Sequence, residues 1–173
     1  MTFSVSTDKK VRRNTVIGLI LFSVLPLSSL FHDDHPWISL VQISLFVLAI
    51  LEMYLRKPLQ YQLDDSTLTM RRPFKDKVID LKDIRRVDRI EYDILDGTFG
   101  GIFGYYGVFS TELGDITFHA TRRDNMVMLT KHDDSKIILT PDQPDEFMNE
   151  LEKGIEELSW AASLQPSINV MRV

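Results

Sequence analysis

Two apolar runs, Asn14–Phe31 and Trp37–Leu55, stand five residues apart near the start of the chain, and Glu52 is the only formal charge in either. At 1.5 Å per residue each makes a helix just under about 30 Å long, the thickness of a bilayer's hydrocarbon core. A chain of 173 residues has too little other material to bury two such helices in succession. The expectation is a pair of membrane-spanning helices, with Pro26 tolerated as a kink. A cleavable leader competes for the first run, because Lys9, Lys10, Arg12 and Arg13 resemble a basic leader region. No small-residue cleavage site follows them, and the second run would anchor the chain in any case.

Charge placement orients the pair. Four basic residues precede the first run and Arg56–Lys57 follow the second, whereas the connector His32-Asp33-Asp34-His35-Pro36 has neither Lys nor Arg. The positive-inside rule then makes residues 1–13 a basic cytoplasmic N-terminus and residues 14–58 a transmembrane hairpin, with both termini in the cytoplasm. Trp37 and Tyr54 suit the two headgroup layers, and Glu52 can pair with Arg56 four residues on. The connector's histidines and aspartates are metal-type ligands, but so short a turn seldom converges three of them. It reads as a polar turn, and no metal site is expected.

From Leu59 the pattern changes to short alternating segments. Leu59–Leu63 and Thr67–Met70 flank an Asp64-Asp65-Ser66 turn as a hairpin, Lys77–Leu81 follows Pro73, and Arg85–Tyr92 is read as a strand rather than a helix. Gly107–Ser110, Asp115–Ala120, Met126–Thr130 and Lys136–Thr140 continue the series. Phe147, Leu151, Ile155 and Leu158 then recur at helical spacing, with Asp142 or Asp145 as a cap. The expected fold is α+β: about seven short strands in a small antiparallel barrel or sandwich over residues 59–160, closed by a C-terminal helix. Residues 161–173 read as a flexible tail.

The two N-terminal runs, the stretch Gly97-Thr-Phe-Gly-Gly-Ile-Phe-Gly-Tyr-Tyr-Gly107 and the passage from Lys136 through Thr140-Pro141-Asp142 to Phe147 together resemble the membrane-associated bacterial pleckstrin-homology-like (PH-like) proteins. The resemblance covers about Leu59–Leu158. It implies a seven-stranded barrel capped by a helix and no shared catalytic activity; with the two apolar runs, the expected location is the bacterial inner membrane as a multi-pass protein, and no cofactor is expected.

Two stretches stand out as candidate contact sites. Phe99, Gly100, Gly101, Phe103, Gly104, Tyr105 and Tyr106 combine glycine freedom with aromatic anchors, as a docking loop or as barrel filling. Arg71, Arg72, Lys75, Lys77, Arg85, Arg86 and Arg89, with Lys82, give a local net charge of +4 against four aspartates, close to the bilayer tether. The helix region 142–157 is acidic in turn. A total charge of -5 argues against nucleic acid as a partner, and the absence of cysteine excludes disulfides and thiol chemistry. No nucleophile, metal or phosphate-loop motif is present, so an enzyme is not expected. The functional expectation is a non-enzymatic, membrane-anchored adaptor or scaffold that contacts the bilayer and another membrane or cytosolic protein, including a second copy of itself. The alternatives are an anionic-lipid sensor and an accessory subunit of a membrane transporter or enzyme.

Overall fold

A computed structural model of the chain describes residues 1–29, 36–90, 104–111 and 114–164. The order is β1 (Thr2–Ser4), α1 (Lys9–Ser29), α2 (Pro36–Leu55), β2 (Gln60–Leu63), β3 (Thr67–Arg71), β4 (Lys77–Asp80), a single 3-10 turn (Leu81–Asp83), β5 (Ile84–Ile90), β6 (Tyr105–Thr111), β7 (Gly114–Ala120), β8 (Met126–Lys131), β9 (Lys136–Leu139) and α3 (Pro144–Leu164).

Alternation drives the strands inward. In β2 and β3, Tyr61, Leu63, Leu68 and Met70 are buried while their neighbours are not, and the Asp64 amide closes the turn on the Thr67 carbonyl at 2.9 Å. The strands form one sheet of four, β1-β2-β3-β4, and one of five, β5-β8-β9-β7-β6. Among the described residues, four and five strands replace the expected seven: each of the eight alternating segments forms a strand, and one more is added at the N-terminus. The N-terminal residues taken for a cytoplasmic tail contribute β1, which pairs antiparallel with β2 through Phe3 and Tyr61. The second sheet also departs from pure antiparallel pairing. Two chain reversals carry β7 through β8 to β9, so β9 runs the same way as β7 and pairs with it in parallel, Phe118 against Ile138.

The core between the sheets contains Tyr61, Leu68, Met70, Leu81, Ile84, Leu129 and Leu139. Helix α3 covers it. Phe147 and Leu151 are buried and Ile155 and Leu158 pack partly against the same cluster, the face set by their spacing. Pro144 opens the helix, where a missing amide costs nothing, and the Phe147 amide donates to the Gln143 carbonyl at 3.0 Å. The helix runs on to Leu164, beyond the boundary expected at residue 160. The ring of Phe3 meets Phe147 edge-on at 5.1 Å, so β1 belongs to the core rather than to its surface.

Helices α1 and α2 contact each other. Val11 of α1 is fully buried against Ile116, Phe118, Ala120, Met126 and Ile138 on the outer face of the second sheet. Beyond Thr15 the apolar side chains turn outward: Val16, Ile17, Ile20, Leu21, Val24 and Leu27 are exposed, as are Leu40, Val41, Leu45, Leu48 and Leu51 of α2. Among the described residues one helix stretch, Trp37–Leu55, is long and apolar enough to cross a membrane. The described part of α1, Lys9–Ser29, opens with Lys9, Lys10, Arg12 and Arg13, and its first turns lie on the domain through Val11. The connector residues His32, Asp33, Asp34 and His35 lie outside the described residues, as does the tail from 165.

Candidate functional site

Both helices join the sandwich at the same end. After α2, the Leu59 amide donates to the Arg71 carbonyl at 2.9 Å, which brings the exit of β3 beside the chain leaving the helix. Ahead of α1, Asp8 caps the helix by accepting from the Val11 amide at 2.5 Å, and its second oxygen accepts from the Arg123 amide at 3.0 Å. Asp142 ties down the rest of the N-terminal segment. It accepts from the Ser4 hydroxyl at 2.8 Å, from the Ser6 amide at 3.0 Å and from the Arg122 guanidinium at 3.0 Å. Burial pushes the Asp142 carboxyl up, but the bonds from Ser6, Ser4 and Arg122 outweigh it and hold the group below the usual range. This role replaces the helix cap expected of Asp142.

At this end the interior between the sheets turns polar. Alternation continues past Leu68 and Met70 to Arg72 and back from Ile79 to Lys77, so both cations face inward, toward His119 of β7. His119 Nδ1 is 3.4 Å from Arg72 Nη2, and its Nε2 is 3.0 Å from Lys77 Nζ. A neutral imidazole has one lone pair and can accept from only one of these donors. Burial, then Lys77 and Arg72, push the His119 pKa down to about 3, so the ring is neutral at physiological pH. Lys77 is lowered by burial and by Arg72, and Arg72 by burial and by Arg56 at the end of α2. The Arg72 Nε is buried with no hydrogen-bond partner among the described residues. Asp76 offers limited compensation, since its carboxylate takes the Arg71 side chain and the Arg72 amide.

Tyr106 stands opposite His119 in the β6–β7 register. A Cβ on Gly104 would meet the Tyr106 hydroxyl and come within 2.6 Å of the Ala120 carbonyl oxygen, and Gly104 has a φ of 149°, so glycine is required there. Of the glycine–aromatic candidates, Phe99, Gly100, Gly101 and Phe103 lie outside the described residues, Gly104 supports this packing, and Tyr105 and Tyr106 sit in β6 rather than in a loop. Tyr106 is half-buried, and burial pushes its phenol up.

The basic stretch is split. Arg71, Arg72, Lys75 and Lys77 belong to the β3–β4 corner beside the α2 exit, whereas the β5 arginines are exposed and paired: Arg85 with Asp134 at 2.6 Å, Arg86 with Asp88 at 2.7 Å, and Arg89 with Asp145. The sequence marks His119 only as one position of the alternating Asp115–Ala120 segment. The signal that finds its partners is the parity that carries Met70 on to Arg72 and Ile79 back to Lys77.

The family model for the bacterial PH domain matches residues 59–155, more than half of the chain. The chain belongs to the bacterial PH domain family. The match starts just past α2 and ends inside α3, so β1 and the helical pair lie outside the family's own segment. No curated protein and no solved structure matches the chain. Family membership gives a protein or lipid interaction module as the coarse functional class.

Proposed function

We propose that the chain is a membrane-anchored, non-enzymatic adaptor or scaffold whose bacterial PH domain is held against the cytoplasmic face of the bilayer. The observation that carries this reading is the apolar surface of α1 and α2, exposed over most of both helices while their bases converge on one end of the sandwich. In water such a surface is unfavourable, and in lipid it is solvated. Phe74 supports the same orientation: it is 82% exposed at the β3–β4 corner between Arg72 and Lys75, beside the α2 exit, where an aromatic ring flanked by cations suits the headgroup layer. The surfaces left for a partner protein, or for a second copy, include the terminal strands β4 and β6, which expose Val78 and Val108.

The test is single-cysteine labelling in intact cells with a membrane-impermeant thiol reagent. Cysteine at Asp34 should react and cysteine at Ser135 should react only after permeabilisation. Labelling at 135 without labelling at 34 would overturn the orientation, and equal labelling at both in a washed soluble fraction would overturn the anchor.

A further inference from the structure

We propose that Arg72, Lys77 and His119 form a binding site for a phosphate group, supplied by a lipid headgroup or by a free phosphate monoester. The geometry supports this in three ways. The three side chains come from β4, β7 and the residue just past β3 and converge from both sheets, with the two cations on the two ring nitrogens of one histidine. Donors outnumber acceptors: a guanidinium, an ammonium and one imidazole N–H share the Met70 sulfur at 3.4 Å and a single imidazole lone pair. A phosphate presents its oxygens tetrahedrally, so it can accept from donors that arrive from both sheets. The charge also matches, since Arg72 and Lys77 supply +2 and a phosphate monoester carries about -1.5 to -2 at neutral pH.

The surroundings favour an anion. Neither Arg72 nor Lys77 makes an ion pair among the described residues, while Arg71, Arg85, Arg86 and Arg89 all do. Burial of cations without carboxylates is costly, and an oxyanion between them removes the donor-against-donor contact at the imidazole and lets His119 donate. The buried Arg72 Nε points to the same surplus. The exposed Phe74 and the α2 exit lie at the same end of the sandwich as the site, and the lipid source rests on the proposed membrane anchoring. The free-phosphate source does not.

The experiment uses the full chain, labelled with 15N at histidine, in a zwitterionic detergent and phosphate-free buffer. Inorganic phosphate is titrated against chloride at matched ionic strength, with the His119 resonance assigned from His119→Gln; the other three histidines serve as internal references. Phosphate should move the His119 resonance saturably and raise its titration midpoint, and chloride should not. Arg72→Gln and Lys77→Gln should each weaken binding by about tenfold, the loss of one charge-assisted contact, while Arg85→Gln should leave it unchanged. A second arm places the protein in phosphatidylcholine nanodiscs with or without phosphatidic acid and no added phosphate. The same shift in the phosphatidic acid discs assigns the lipid source; a shift with inorganic phosphate alone assigns the soluble one. No saturable shift in either arm, or equal shifts with phosphate and chloride, overturns the site. The wild-type titration decides the matter even if a variant fails to fold, and success in detergent beside a failed labelling test would separate the site from the anchor.

Discussion

The interior of the sandwich has two parts that obey opposite rules. Under α3 it is apolar and closed, with Leu81, Ile84, Leu129 and Leu151 packed around Phe147. At the helix-bearing end, strand positions of the same inward parity hold Arg72, Lys77 and His119. Continuing a buried pattern with cations costs stability, and a fold keeps such an arrangement where it has a use for the charge. The contrast with the β5 arginines is equally instructive. They come from the same basic stretch, yet they point outward, pair with aspartates and stay wet, so they contribute little to stability.

The largest expected effect breaks the closed part. Leu151→Ala should destabilise the full chain by about 2–5 kcal/mol, seen as a marked drop in melting temperature in detergent, while Glu152→Ala on the exposed face should stay within about 0.5 kcal/mol. Equal effects would remove α3 from the core. The next effect belongs to the polar part and depends on pH. Because the His119 pKa falls from 6.5 to about 3 on folding, the stability of its neutral form is complete above pH 6.5 and is lost as the pH drops toward 3. The groups facing it are Arg72, Lys77, Arg56, Tyr61 and Tyr106, none of them a carboxylate. Wild-type protein should lose on the order of 1–3 kcal/mol relative to His119→Gln between pH 6.5 and pH 4, read from paired melting curves. Parallel curves for the two proteins would show that His119 is not held neutral.

Smaller still, Lys77→Met should raise the melting point by an amount equivalent to about 1 kcal/mol, because an inward cation without an acid partner is replaced by an apolar chain of similar length. A fall would mean that the ammonium is stabilising where it sits. Arg85→Gln should change stability by less than about 0.5 kcal/mol, as expected for an exposed pair with Asp134. A larger loss would erase the distinction between inward and outward cations.

Much of this was legible in advance where the physics is local. Alternation located the strands from β2 to β9, and the spacing of Phe147, Leu151, Ile155 and Leu158 gave the face of α3. Glu52 and Arg56 pair as their spacing required. What escaped was non-local. Thr2–Ser4 has too few residues for a period, and it becomes a strand only because Tyr61 and Phe147 supply a surface for Phe3. Tyr105 and Tyr106 read as loop because the glycines around them mask the alternation. The polar end was half visible: Arg72 and Lys77 continue inward patterns, but nothing in the sequence of β7 says that His119 will stand between them.

The pairing of β1 with β2 also changes what the helices are. In the language of connections, β1 and β2 are adjacent antiparallel strands, so everything between Ser4 and Gln60, both helices included, is the loop of one β-hairpin. Its closure is fastened by Asp142, which meets Ser4 across 138 positions of sequence. During synthesis the first strand therefore waits unpaired until both helices have been made and β2 follows them, and its clasp on Asp142 comes later still. Once closed, the loop is held to the sandwich at its root by β1, whose Phe3 is a core residue, and by Asp8 and Val11 on the second sheet.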